Sequence, residues 1–157
     1  IAVMEPDGYF RIVDRKKDIM ITAAGKNLSP THIENTIKAS PYVKEVIVIA
    51  DRRPYVTALI QIEPETVRLW AEEHGIAYTT YRSLAAATQV RDLILKEVER
   101  QNDDLARVEQ VKKVHLITKE LDHDDGEVTA TMKVRRLSIY KAYETEIEEL
   151  YRAGNHA

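Results

Sequence analysis

The sequence predicts an α+β domain with an N-terminal β-hairpin, a central, mostly antiparallel sheet of about three strands, and flanking helices. Three observations lead there. The 157 residues suit one domain with a modest core. Residues 43–50 and 56–62 are two strongly apolar runs joined by Asp51-Arg52-Arg53-Pro54, and their successive apolar positions predict strands covered on both faces. Helical and strand patterns then follow in mixed order, without the regular βαβ rhythm of a parallel sheet.

Taken in order, the chain opens on Ile1 without a Met and reaches the turn signal Glu5-Pro6-Asp7-Gly8 almost at once, which reads as a piece of a longer protein. Residues 9–13 alternate as a strand and residues 18–22 as a second, with Asp14-Arg15-Lys16-Lys17 as a charged hairpin tip or bend. Ala23-Ala24-Gly25-Lys26-Asn27 is a loop of small residues. Ser29-Pro30 supplies a cap and a first-turn proline for a helix carrying Ile33 and Ile37, which Ser40-Pro41 ends. After the two strong strands, a helix opens at Pro64, aligns Val67, Trp70, Ala71 and His74, and stops at Gly75. A longer helix spans 87–102 with Val90, Leu93, Ile94 and Val98 inward. Residues 111–118 form the last strand, with Val114 and Leu116 on one side. An acidic turn at 122–126 and the segment 127–133 lead to a final helix over 134–152, expected to bury Leu137, Tyr140, Ile147 and Tyr151. The boundaries are therefore 1–22 for the hairpin segment, 23–152 for the main domain and 153–157 for a frayed tail.

Composition narrows the function. The chain is 44% hydrophobic and 31% charged, which is ordinary for a folded domain. Its longest apolar run, residues 46–50, is strand-sized, so no transmembrane segment is expected. With no Cys, thiolate metal sites and thiol nucleophiles are excluded. The net charge of -3 conceals two basic segments: residues 9–26 hold five bases against two acids, and residues 132–141 hold four bases and no acid. An acidic body with two basic segments suits a phosphate-bearing ligand, and equally a solvated surface. The five histidines are scattered, so no metal site is expected. Aligning Gly126 with a calcium-loop glycine puts His123 and Leu121 where carboxylates are required. No Walker, dinucleotide or G-x-S-x-G pattern occurs. The basic residues lack an interleaved aromatic platform, which argues against nucleic acid.

Two stretches carry a resemblance. Asp7-Gly8-Tyr9-Phe10-Arg11-Ile12-Val13-Asp14-Arg15-Lys16-Lys17-Asp18 and the following residues 19–30 are similar to the hinge-and-loop motif of the adenylate-forming superfamily. Gly126-Glu127-Val128-Thr129-Ala130-Thr131-Met132-Lys133-Val134-Arg135-Arg136 resembles its last motif, and residues 105–113 also match in style. The spelling is most similar to bacterial long-chain fatty-acid–CoA ligases, and the likeness runs from Asp7 to Arg152. It implies a small C-terminal lid domain that closes over a larger N-terminal domain of the same protein. That parent would use ATP with Mg2+, a fatty acid and CoA, giving an acyl-adenylate and pyrophosphate, then acyl-CoA and AMP. The resemblance places it in the cytoplasm, with peripheral membrane contact compatible with a lipid substrate. The isolated lid would be inactive.

The same resemblance implies roles for particular residues. Lys133 matches the catalytic lysine, which reaches the carboxylate and phosphate during adenylation. Lys17 matches the hinge about which the lid rotates between half-reactions. Arg15 matches an arginine on the nucleotide. Ala23, Ala24 and Gly25 match the loop that approaches the pantetheine arm of CoA, where relatives carry more glycine. Ala130 stands where relatives often carry proline. Lys26, Arg135 and Arg136 are either CoA-phosphate contacts or surface charges. Lids of fatty-acyl-AMP ligases or carrier-loading adenylation enzymes are the neighbouring alternative, and a non-catalytic α+β binding or dimerisation module is the alternative from another class.

Overall fold

The computed structural model describes the backbone of residues 2–4, 10–12, 19–119 and 136–153, and the side chains of 19–119 and 136–152. The described elements run β1 (Ala2–Met4), β2 (Phe10–Ile12), β3 (Met20–Ile21), β4 (Asn27–Leu28), α1 (Pro30–Ile37), β5 (Val43–Ile49), β6 (Val56–Ile62), α2 (Pro64–Glu73), α3 (Tyr81–Ala86), α4 (Thr88–Asn102), β7 (Val111–Leu116), α5 (Arg136–Ala142) and α6 (Glu144–Ala153). A 3-10 turn, Arg107–Glu109, precedes β7.

The sheet β5-β6-β7 is the centre. β5 and β6 form an antiparallel hairpin, with Val46 opposite Ile60 and Val48 opposite Ala58. Every residue of β6 is buried, as expected for a middle strand covered on both faces. The two-residue period of the strands divides the core. Val46, Val48, Ala58 and Ile60 join Ile33, Ile37, Val67 and Ile94 on the face covered by α1, α2 and α4. Ile47, Ile49 and Leu59 face the other way, beneath Ile139 of α5 and Ile147 of α6. β7 lies parallel to β6, because the chain between them crosses through α2, α3 and α4. One pair is antiparallel and one parallel, so the sheet is evenly mixed rather than mostly antiparallel.

Local signals fixed the helices well. Ser29 Oγ accepts the His32 N–H at 3.3 Å, with Pro30 in the first turn of α1. α2 opens at Pro64 and gives way to Gly75 at φ +67°. Three expectations need correction. The hairpin between residues 9–13 and 18–22 is replaced by two others: β1 pairs with β2 (Val3 opposite Arg11), and β3 with β4 (Met20 opposite Leu28). Each strand finds a partner closer to a turn-forming sequence, Glu5-Pro6-Asp7-Gly8 or Ala23-Ala24-Gly25. The expected tip at 14–17 lies outside the described residues. The final helix is two helices, α5 and α6, meeting at Tyr143. Leu137 is 83% exposed rather than buried, because it lies off the stripe of Arg136, Ile139 and Tyr140, and Ile139 takes the interior position at 0%.

Candidate functional site

Two features of the described chain bear on chemistry: the turn between β3 and β4, and the leading end of α5. The turn is built by its own hydrogen bonds. Thr22 N–H donates to the Lys26 carbonyl (2.9 Å), Gly25 N–H to the Thr22 carbonyl (2.9 Å), and Lys26 N–H to Thr22 Oγ1 (3.1 Å). Gly25 has φ +84°, a left-handed conformation that glycine adopts without the clash of a Cβ. Ala23, Ala24, Gly25 and Lys26 are exposed, and a Cβ added at Gly25 would meet none of the described residues within 4 Å.

The turn is fastened to the β5–β6 connection. Ala23 N–H donates to the Arg53 carbonyl (2.9 Å), Arg52 N–H to the Ile21 carbonyl (2.7 Å), and Ile21 N–H to Asp51 Oδ1 (3.2 Å). The Arg53 guanidinium in turn pairs with Glu148 of α6 and lies over the Tyr151 ring at 4.5 Å. The Glu148 hydrogen bond holds that guanidinium even more firmly protonated than usual. Beside the turn is a cavity of about 310 Å³ lined by Thr22, Ala24, Lys26, Tyr55, Arg107 and Lys112 among others. Among the described lining residues three are cations and none is an acid, so an anion entering there gains attraction from this side of the cavity.

At the second feature, Arg136 is an internal ion pair. Its Nη1 and Nη2 reach Glu34 Oε2 and Oε1 of α1 at 2.5 and 2.9 Å, a two-pronged contact with side chains 27% and 13% exposed. Burial works against the guanidinium's charge, but Glu34 outweighs it and keeps the group protonated above its ordinary range. Tyr140 donates to the Val48 carbonyl at 2.5 Å, and burial pushes its hydroxyl up to about 12. Arg136 is thus a half-buried, paired group, which corrects its reading as a solvated surface charge. Arg15, Lys17, Lys133, Ala130 and Arg135 lie outside the described residues. Sequence reasoning missed Glu34, Arg53 and Tyr140. Glu34 sits 102 residues from its partner, and no local pattern announces such a pair.

Among the described residues no group of three or more His, Cys, Asp or Glu could hold a metal ion. Nor is any described helix long and apolar enough to cross a membrane.

The described residues thus form a small mixed α+β body with a cation-lined turn at one edge. A family model described as the AMP-binding enzyme C-terminal domain matches residues 17–155, and the chain belongs to that family. It is 41% identical over 149 residues to a Mycobacterium tuberculosis protein named "Putative fatty-acid–CoA ligase fadD11", covering 94% of this chain and 26% of the relative. The long-chain-fatty-acid–CoA ligase FadD15 of the same species is 30% identical over 152 residues, covering 96% of this chain and 25% of the relative. In fold the chain is similar to the adenylation domain of a carboxylate reductase from Mycobacterium chelonae, with TM-score 0.73 and 20% identity, over 94% of this chain and 21% of that one. The chain spans about a quarter of the length of the curated relatives it matches.

Proposed function

We propose that this chain is the rotating C-terminal lid of a fatty-acid–CoA ligase whose larger domain binds ATP and the fatty acid. The parent reaction joins a carboxylate to the α-phosphate of ATP, releases pyrophosphate, and then passes the acyl group from AMP to the CoA thiol. The observation that carries this reading is the exposed stretch Ala23–Lys26, with small side chains beside a cavity lined by Lys26, Arg107 and Lys112. Small residues let a ligand approach the backbone closely, and the three cations suit the phosphates of CoA. Membership of the family and likeness to two proteins named as fatty-acid–CoA ligases support the substrate class.

In this reading Lys133 supplies positive charge where the carboxylate and phosphate meet, Lys17 is the pivot, Arg15 touches the nucleotide, and Ala23, Ala24 and Gly25 line the thiol's approach. Mg2+ enters with ATP and is held by the larger domain; no step is assigned to a metal on the described residues. The parent works in the cytoplasm, where ATP and CoA are supplied, touching the membrane peripherally to collect its fatty acid.

The test uses the full-length enzyme. Acid-dependent ATP–pyrophosphate exchange is expected with fatty acids, and CoA consumption across chain lengths then separates a CoA ligase from a carrier-loading enzyme. Lys133→Ala should slow exchange by on the order of a hundredfold, as for loss of one preorganised donor. Thioester formation from supplied acyl-adenylate should be largely spared. Absence of exchange with every fatty acid would end the ligase reading, and equal loss in both half-reactions would end the assignment of Lys133.

A further inference from the structure

Among the described residues β5 lies at the edge of the sheet β5-β6-β7, and the peptide groups of Val48 are hydrogen-bonded by side chains. The Val48 N–H donates to Glu34 Oε2 at 2.8 Å. Its carbonyl receives Tyr140 Oη at 2.5 Å and Arg136 Nη1 at 3.4 Å. With the two-pronged Glu34–Arg136 pair, these contacts tie the first turn of α5 to both α1 and the central sheet. Among the described residues no buried side-chain nitrogen or oxygen in this cluster lacks a partner. A half-buried, fully hydrogen-bonded cluster of this kind has one geometry, and losing one member leaves a buried charge unmet.

Arg136 is three residues after Lys133. Three residues cannot span more than roughly 11 Å even when fully extended, so the lysine's backbone is on a short tether to this anchor. We propose that Glu34, Arg136 and Tyr140 form a positioning clamp for the adenylation half-reaction, fixing the point from which Lys133 reaches the reacting carboxylate and phosphate. The proposal rests on the reading of Lys133 given above. None of the three residues touches substrate; they act through the lysine. Their effect is therefore confined to the half-reaction that uses it. Arg is required because a planar fork meets both carboxylate oxygens at once, which a lysine ammonium cannot do.

The experiment compares Arg136→Lys, Tyr140→Phe and Lys133→Ala in the full-length enzyme. Each is measured for acid-dependent ATP–pyrophosphate exchange, for kcat and KM with ATP, and for CoA-dependent consumption of supplied acyl-adenylate. Displacing a reacting group by about 1 Å costs on the order of a hundredfold, so Arg136→Lys should lower adenylation kcat roughly 10- to 100-fold. KM for ATP and the thioester step should stay within about twofold, because ground-state binding is untouched. Tyr140→Phe removes one donor to Val48 and should give a smaller loss of about threefold, again confined to adenylation. It decides the matter if Arg136→Lys does not fold. A clamp that serves folding alone would lower both half-reactions together, in proportion to the folded fraction, and that result overturns the proposal, as does no change in either variant. If Lys133→Ala leaves adenylation intact, the reading of Lys133 fails and the clamp falls with it. If Lys133→Ala alone slows adenylation, only the clamp fails.

Discussion

Gly25 allows backbone strain to be separated from crowding of a ligand. Its φ of +84° lies in the left-handed region, where a side chain costs about 1–2 kcal/mol through the clash of Cβ with the following carbonyl. Among the described residues nothing lies within 4 Å of the position a Cβ would take, so the cost stops there. Gly25→Ala should therefore destabilise the chain by about 1–2 kcal/mol, lowering Tm by roughly 2–8 °C for a domain of this size. Gly25→Leu should cost the same within about 0.5 kcal/mol, because its larger side chain projects into open space. In the full-length enzyme the two should part company. If the Thr22–Lys26 turn faces the thiol, the leucine occupies the approach, and the thioester half-reaction should fall at least roughly tenfold beyond the alanine variant while adenylation stays level. Thermal melts and the two half-reaction assays measure both quantities. A leucine variant much less stable than alanine would refute the open space; equal thioester rates in the two would refute the turn's place in the thiol step.

Two further outcomes follow from the described side chains. Ile139→Ala should cost about 2–5 kcal/mol by opening a cavity under α5, while Leu137→Ala should stay within about 0.5 kcal/mol; similar losses in urea denaturation would mean that the wrong face of α5 has been turned inward. His115, held neutral chiefly by burial, with Glu146 and Glu149 opposing and Arg91 assisting, should titrate below the usual imidazole value. The unfolded state then binds the proton more readily, so its stabilising contribution is fully present above about pH 6.5 and is lost as pH falls through the folded value. An NMR midpoint at or above 6.5 would contradict this, and His115→Phe should flatten that part of the pH dependence.

What the sequence made legible was local. The largely apolar run of β6, interrupted by Thr57 and Gln61, announced a strand buried on both faces, and Ser29-Pro30, Pro64 and Gly75 marked helix ends through chemistry confined to a few residues. α3 escaped notice because its apolar period, Tyr81, Leu84 and Ala85, is confined to six residues; Thr80 and Ser83 hold its start by a reciprocal cap. The hairpin was mispaired because strands of two or three residues contain too little pattern to name a partner. Buried polar partnerships were beyond reach for a different reason. Glu97, 7% exposed, lies on a helix face that reads as charged surface, and only Ser40, 57 residues away, together with Arg100, makes its burial tolerable. Arg136 misled in the same way: a basic residue in a basic segment, matched by an acid 102 residues earlier.

The placement of those partners bears on how one small domain could serve two reactions. The Ala23–Arg53 hydrogen bond fastens the β3–β4 turn to the connection after β5, and the Val48 contacts fasten α5 to β5 itself. The attachment points are five residues apart on one hairpin whose strands are packed on both faces. Such a core resists internal deformation, since close-packed side chains transmit displacement instead of absorbing it. Neither feature can then be moved independently of the other by flexing the sheet. In the proposed enzyme, exchanging a cation for a narrow thiol approach at the same substrate therefore requires turning the whole domain. In that proposal the change falls outside this body, in keeping with the reading of Lys17 as the pivot. If Lys17 is the pivot of the proposed enzyme, stiffness in the body is what converts rotation there into a defined displacement of α5.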